Sequence, residues 1–457
     1  MLFRSPNTLA AETAGDAAET ARTPYPVPVA HFVAGENIIA VEVHQAAPNS
    51  SDLGFDGALW IRRITSADPA PPPPPSPDLV RGEAVPIPAD FSAWLFTHDV
   101  VHRVELVLPQ RSVDALNLVP QTLAVSEVRI DGQRVVETGV RLRGSGDAFR
   151  PLADKPRLQL DFDHFAPDRT FYGLTSLTLN NSAGDCSRMR EVMAHDVFAA
   201  AGLPTPRAAF AHVFVNGEDY GLYVLVESQD EVWLQRHYAE ADGTLYDGGP
   251  VPNERGEPVF LDLERALIPL FPRLAGENDR RADLREVVEA VEGNAGRPTF
   301  YDAVGEVVDW EIFHKHAAAE IWTGHGLGYL GRGGGYRIYF DPQDEKMDFS
   351  PWDLESAFHP EEAFDCPFAE PCGVLARLCW ADEDCFAAQR ATVIALDDTL
   401  AGRDMVGLFD AANALTRATA VANPRDACTP VQLDEARARI RAWLETRSEA
   451  VRAGFAP

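Results

Sequence analysis

Two acidic side chains follow a predicted strand in the C-terminal half of the chain. In the segment DFSPWDLESAF, Asp353 and Glu355 stand two residues apart on a predicted turn, which is flanked by tryptophan and phenylalanine. Carboxylate oxygens are the ligands that Mg²⁺ takes into its small octahedral shell. The pair therefore predicts a site for a divalent cation, although an aspartate that only caps a turn would give the same pattern.

A basic and an acidic residue further upstream indicate phosphate chemistry. Lys155 stands at the entrance of the predicted strand RLQLDF, where its ammonium group can offer a point charge to a phosphate. Glu191 lies in the first turns of a later predicted helix, and a helix glutamate pairs with the phosphate-binding strand lysine in protein kinases. Taken singly, an exposed strand end and an exposed helix face explain these two residues equally well.

The elements that must position these groups are strands followed by helices. Alternating apolar residues predict strands or strand–turn–strand units at 103–108, 125–144, 157–162, 174–179, 211–228, 336–340 and 346–349. A helix is predicted from Ser187 to its stop at Gly202, another from Val308 to Ile321, and the remainder is mostly helical. This order predicts an α+β fold with a helical C-terminal part.

The charge of the chain excludes some partners. The 457 residues carry 40 lysines and arginines against 70 aspartates and glutamates, a formal net charge of −30. Nucleic acid and anionic lipid need a basic surface, so neither is predicted as the main partner.

No stretch reaches the roughly 18 apolar residues of a membrane-spanning helix. Residues 1–25 lack the basic start and apolar run of a signal peptide.

The six cysteines indicate an oxidising compartment. Four of them form two pairs of identical spacing, Cys366 with Cys372 and Cys379 with Cys385. Zinc sites favour closer CxxC pairs, so two short-loop disulfides are a better interpretation than a metal site, with free thiols as the alternative. Disulfides form outside the reducing cytosol, which conflicts with the missing leader.

The N-terminal region suggests a way to resolve this conflict. The run PAPPPPPSP at 69–77 is a stiff spacer, so we divide the chain into 1–65, a linker at 66–80 and a principal domain at 81–457. The segment GENIIAVEVHQ resembles the last strands of galactose-binding-like jelly-roll modules of bacterial extracellular proteins. We therefore expect residues 1–65 to be the back half of a β-sandwich. The natural start, with a signal peptide, would then lie upstream.

Five blocks of the principal domain occur in a characteristic order: GVRLRGSG, KPRLQLDF, NGEDYGLY, GTLYDGG and FSPWDLESAF. Together they make the chain between Arg103 and Ala453 resemble the CotH kinase-like family, which is related to the spore coat protein H of spore-forming bacteria. The resemblance implies an atypical protein-kinase-like fold. It also implies transfer of phosphate from ATP to serine or threonine hydroxyls of secreted or coat proteins, with Mg²⁺ or Mn²⁺.

The resemblance also implies roles for individual residues. Lys155 is similar to the nucleotide-phosphate lysine of the family and Glu191 to its helix partner. Glu227 and Ser228 lie where a hinge would meet adenine. Asp353 matches the family's metal aspartate, and Glu355 replaces a second aspartate, which keeps the charge but adds one methylene.

One departure from the family puts catalysis in question. The family has an aspartate soon after the helix predicted at 308–321, but here no acidic residue lies between Glu320 and Asp341. His325 is the nearest titratable group, and it is predicted to be the catalytic base because imidazole titrates near neutral pH.

If His325 is only structural, the protein is a catalytically impaired pseudokinase or an envelope or coat scaffold. A third possibility is a surface protein that binds carbohydrate or another wall component. The predicted partners are a nucleotide and a protein substrate or envelope protein, and the predicted location is extracytoplasmic.

Overall fold

The computed structural model describes residues 90–144, 149–277, 280–331, 334–359, 365–425 and 427–455. The predicted partial β-sandwich at 1–65 and the linker at 66–80 lie outside the described residues. The strands are β1 (Val101–Val107), β2 (Ala124–Ile130), β3 (Gln133–Arg143), β4 (Arg157–Asp161), β5 (Ser176–Asn180), β6 (Ala208–Val215), β7 (Glu218–Glu227), β8 (Thr244–Asp247), β9 (Val251–Pro252), β10 (Pro258–Val259), β11 (Arg273–Ala275), β12 (Tyr336–Asp341) and β13 (Lys346–Pro351). The helices are α1 (Gln110–Leu118), α2 (Arg190–Ala200), α3 (Glu231–His237), α4 (Ala282–Asn294), α5 (Phe300–Val304), α6 (Trp310–Thr323), α7 (Val374–Ala381), α8 (Glu383–Ala401), α9 (Met405–Val421) and α10 (Pro430–Phe455).

Seven strands form a sheet that closes on itself in the order β1-β2-β3-β4-β5-β7-β6. Neighbouring strands are antiparallel except for β1 and β6, whose parallel pairing completes the closure. Because side chains alternate along a strand, Leu158 and Leu160 of β4 enter the core of this sheet. Arg157 and Gln159 therefore stand on its other face.

A second core lies beside the closed sheet. It joins a four-stranded sheet, in the order β11-β8-β12-β13, to the helices α2, α4, α6, α8, α9 and α10. Strand β7 contributes side chains to both cores. Tyr223 and Leu225 pack in the interior of the closed sheet. Leu222 and Val224 pack in the second core, with the helices. A strand that is buried on both faces needs an almost continuous apolar sequence, which explains the run GLYVLV.

The predicted elements of the described region are present, with several boundaries shifted by up to three residues. The first long helix starts at Arg190 rather than at Ser187. Asp185 accounts for this start, because its Oδ2 accepts the backbone amides of Met189 and Arg190, each at 3.1 Å. Arg188 has a left-handed φ of 59°, so the preceding residues cannot belong to the helix. The structure thus confirms a mixed α and β architecture with a helical C-terminal part.

All six cysteines are paired. The two predicted disulfides, Cys366–Cys372 and Cys379–Cys385, are confirmed. The third, Cys186–Cys428, joins residues 242 positions apart and ties the loop before α2 to the segment before α10. Sequence spacing gives no signal for such a distant pair. No helix in the described part of the chain is long and apolar enough to cross a membrane.

Removal of the long-range disulfide is expected to destabilise the fold more than removal of a short-range one. Replacing Cys186 and Cys428 together with serine should lower the free energy of unfolding by roughly 2–4 kcal/mol, because the bridge restricts a very long loop in the unfolded chain. The matched control replaces Cys366 and Cys372, which are 6 positions apart and restrict far less. Urea unfolding of both double variants measures the difference, and equal losses would contradict this account.

Candidate active site

The predicted carboxylates meet around a single arginine of β4. The Arg157 side chain is 17% exposed, and its Nη2 donates to Asp353 Oδ1 at 3.1 Å. The same Nη2 lies 3.1 Å from Glu355 Oε2, and Arg157 Nε donates to Asn180 Oδ1 at 3.2 Å. A side chain of the closed sheet therefore holds both acidic residues of the turn after β13.

The two carboxylates of that turn differ in how much of each side chain is exposed to solvent. Asp353 has a left-handed φ of 53°, and a short 3-10 helix, Leu354–Ser356, follows it with Leu354 fully buried. This anchor directs Asp353 and Glu355 to the same guanidinium. The Asp353 side chain is 37% exposed and that of Glu355 is 18% exposed. Asp353 is therefore the carboxylate more open to a ligand.

Glu191 adds a third carboxylate from α2. It is buried and accepts a hydrogen bond of 2.6 Å from Asn180 Nδ2. Burial raises the pKa of Glu191 to about 8, with Glu355 and Asp353 adding to the rise and Arg157 opposing it. Burial and the nearby Asp353 also raise the pKa of Glu355. With Glu191 protonated, Asp353 and Glu355 still share one guanidinium, and a bound cation would offset the repulsion between these two carboxylates.

The raised pKa of Glu191 predicts a dependence of stability on pH. The folded protein holds a proton on Glu191 that the unfolded chain releases near pH 4.5, so the free energy of unfolding should fall as the pH rises from about 5 to 8. Replacing Glu191 with glutamine should remove the part of this decrease in the free energy of unfolding that Glu191 causes. Urea unfolding at several pH values in chelator measures it, and Glu286→Gln, on the exposed side of α4, is the control. The hypothesis fails if Glu191→Gln keeps the wild-type pH profile.

Lys155 lies just before β4, as predicted, and its contacts are with β7, so its role toward a phosphate stays a prediction. It is 5% exposed, its Nζ donates to the Leu222 carbonyl at 2.7 Å, and it lies 5.0 Å from the centre of the Tyr223 ring. Arg157 is a cation that lowers the pKa of Glu191. Sequence reasoning missed Arg157, although it shares a strand face with Gln159 and follows Lys155 by two residues.

The predicted hinge residues divide between two environments. Glu227 is 1% exposed, and its carboxylate accepts hydrogen bonds from Arg207, at 2.8 Å, and from Arg236. These ion pairs occupy the Glu227 carboxylate. The next residue, Ser228, lines a cleft between the two sheets. The structure therefore brings Ser228, and not the Glu227 side chain, to the place where a ligand can enter.

His325 lies behind the acidic turn. It is fully buried, and its Nδ1 is 3.0 Å from Ser356 Oγ, at the end of the short 3-10 helix. Burial lowers its pKa. A Cβ at Gly335 would lie 2.4 Å from His325 Nε2, so only glycine fits there. The imidazole therefore contacts the segment that carries Glu355 and has no opening to solvent, and its predicted role as catalytic base stays a prediction.

A cleft of about 880 Å³ lies between the outer face of the closed sheet and the second sheet. Its lining residues come from both sheets and from the segment after β7: Arg141, Arg143, Gln159, Ser176, Thr178, Ser228, Gln229, Asp230, Glu231, Ala241, Asp242, Leu274, Ala275, Gly276, Glu277, Arg337 and Trp352. Arg337 stacks 3.7 Å from the ring centre of Trp352 and donates to Gln229 at 3.0 Å. Trp352 directly precedes Asp353, so the acidic turn adjoins a residue that lines the cleft.

Comparison with known proteins places these residues in a family. The family model described as CotH kinase protein matches residues 140–385, a range that includes Arg157, Glu191 and Asp353. The inner spore coat protein H of Bacillus subtilis (strain 168) is 24% identical over 244 residues, which cover 52% of this chain and 62% of that protein.

Two solved structures show a weaker similarity. The proinflammatory kinase CtkA of Helicobacter pylori is 9% identical, with a TM-score of 0.27, and the match covers 65% of this chain and 94% of that one. The HipA–HipB toxin–antitoxin complex with operator DNA from Shewanella oneidensis MR-1 gives 12% identity and a TM-score of 0.28, covering 67% and 66% of the two chains.

Proposed function

The chain belongs to the CotH kinase protein family, and from this premise we propose that it is a kinase that transfers phosphate from ATP to serine or threonine hydroxyls of a protein. One observation carries the proposal. Asp353 and Glu355 are held by Arg157 directly after Trp352, which lines a cleft that is large enough for a nucleotide and that is also lined by arginines. Phosphoryl transfer depends mainly on positioning and on electrostatic stabilisation of the transferred group, and both depend on such charges.

The acidic turn fits a divalent metal ion. Glu355 Oε2 is buried, and its contact with Arg157 is an ion pair without hydrogen-bond geometry. Asp353 keeps more than a third of its side chain exposed. These two carboxylates would hold Mg²⁺ or Mn²⁺, which neutralises charge on the phosphates of a bound nucleotide. Arg157 orients both carboxylates, and Asn180 links Arg157 to Glu191.

A nucleotide-binding scaffold without transfer is the second candidate. No acidic residue lies between Glu320 and Asp341, and the nearest titratable side chain, His325, is fully buried. A kinase with this arrangement would have to rely on positioning of the acceptor hydroxyl more than on its deprotonation.

The three disulfides suit an oxidising, extracytoplasmic compartment. The name of the Bacillus relative suggests a coat or envelope protein as acceptor.

Incubation of the purified protein with γ-labelled ATP and Mn²⁺ or Mg²⁺ tests the proposal. We expect label to appear on the protein itself or on an added coat or envelope protein, and chelator to prevent this transfer. Binding of ATP without transfer would support the scaffold instead. A protein that neither binds ATP nor transfers phosphate would contradict both candidates.

A further inference from the structure

Two arginines of β3 line the cleft without a carboxylate partner among the residues that the structure describes. Arg141 Nε donates to Gln159 Oε1 at 2.9 Å, and Arg143 Nη1 approaches the same oxygen at 3.4 Å. One neutral amide oxygen thus serves two guanidinium groups. Both side chains line the cleft, and they stand two residues apart on the same face of the strand.

The register of the closed sheet places a third guanidinium beside this pair. Arg143 is directly opposite Arg157 in the antiparallel pairing of β3 with β4. Side chains in directly opposite positions lie about 4.5–5.5 Å apart at Cβ, and like charges there destabilise the sheet. Asp353 and Glu355 compensate Arg157. Arg143 forms no such ion pair in the described region; Asp247 and Asp353 act on it only at longer range, and burial together with Arg141 lowers its pKa.

We propose that Arg141 and Arg143 bind the phosphate chain of the nucleoside triphosphate, an inference that rests on the proposed kinase function. Guanidinium groups bind phosphate oxygens through paired hydrogen bonds. Residues two apart on a strand are separated by about 6.6 Å, so the two arginines suit a chain of phosphates better than a single one. Arg143 also adjoins the carboxylates that would hold the metal. The two arginines of the RLRG block thus take the role that the family resemblance assigned to Lys155.

Isothermal titration calorimetry of the full chain tests this inference with three probes: inorganic triphosphate, ATP and adenosine. Arg143→Gln should weaken the binding of triphosphate and ATP at least about tenfold, because a charge-assisted contact is lost. Arg143→Lys should restore part of the loss, and the affinity for adenosine should not change. Arg134→Gln is the control, since Arg134 lies on the same strand but pairs with Glu127 at the surface.

The titrations distinguish a failure of the phosphate-binding proposal for Arg141 and Arg143 from a failure of the proposed kinase function. If Arg143→Gln and Arg141→Gln each bind triphosphate within twofold of the wild type, the arginine pair is not the phosphate site, even where ATP is still turned over. Absence of triphosphate binding by the wild type would overturn it as well. Triphosphate binding that needs both arginines, in a protein that never transfers phosphate, would support the pair and contradict the kinase function alone.

Discussion

Replacing Asp353 with asparagine is expected to reduce phosphate transfer from ATP below detection, a loss of at least about 10³-fold, the scale on which single charged groups act in phosphoryl transfer. The carboxylate is the more exposed acidic group of the turn, and the amide cannot supply its negative charge to a metal ion. The fold should survive the change, because asparagine tolerates the left-handed φ of 53° and its oxygen can still accept from Arg157.

Asp168→Asn is the matched control for this experiment. Asp168 is exposed and also has a left-handed φ, of 64°, so the same substitution is made in the same backbone conformation away from the cleft. Transfer of labelled phosphate is measured for both variants, with circular dichroism to verify folding. Retained transfer in a folded Asp353→Asn variant would refute the assignment of Asp353 to the reaction.

Replacing Arg157 with methionine is expected to lower the free energy of unfolding by roughly 3–5 kcal/mol, because removal of one partner leaves buried charges uncompensated. Arg157 is the cation next to Glu191, Asp353 and Glu355. Without it the pKa values of Glu191 and Glu355 should rise further above their values in the unfolded chain. The loss should therefore be smaller near pH 5, where the carboxylates can hold protons, and larger near pH 8.

The control for Arg157→Met is Arg134→Met in the same closed sheet. Arg134 is 59% exposed and pairs with Glu127, and such surface pairs contribute little to stability. Urea unfolding of both variants at pH 5.5 and pH 8, in chelator, gives the comparison. A loss for Arg157→Met that does not change with pH would show that its carboxylate partners do not carry the effect.

Local patterns predicted much of the fold. Alternation of apolar residues located the strands of the described region, and the apolar face of MREVMAHDVF located α2. Equal spacing predicted the disulfides Cys366–Cys372 and Cys379–Cys385. Two carboxylates after a strand indicated the acidic turn, and the structure brings Asp353 and Glu355 together with Glu191. These signals lie in segments of a few residues, where the geometry of one turn or one strand fixes the outcome.

The partners of the charged groups could not be predicted in the same way. The sequence predicted that Lys155, of the segment KPRLQLDF, would pair with Glu191, but the same segment also contains Arg157. The register of β3, β4 and β5 decides between them. It sets Arg157 beside Asn180 and Arg143, whereas Lys155, before the strand begins, turns toward the Leu222 carbonyl. In the same way, Glu227 stands at the end of strand β7, where a hinge is expected, yet Arg207 and Arg236 pair with its carboxylate.

The sequence by itself determined the kinds of elements, the two short disulfides, the acidic turn and the family resemblance, because each of these is written in residues that are near one another in the chain. Only the tertiary structure decided that Arg157 holds Asp353 across 196 residues, that Cys186 joins Cys428 across 242, and that His325 is enclosed behind Ser356. The physical reason is that charge pairing and burial depend on distances in space. Those distances follow from how the closed sheet packs against the second sheet and its helices, and no local pattern encodes that packing.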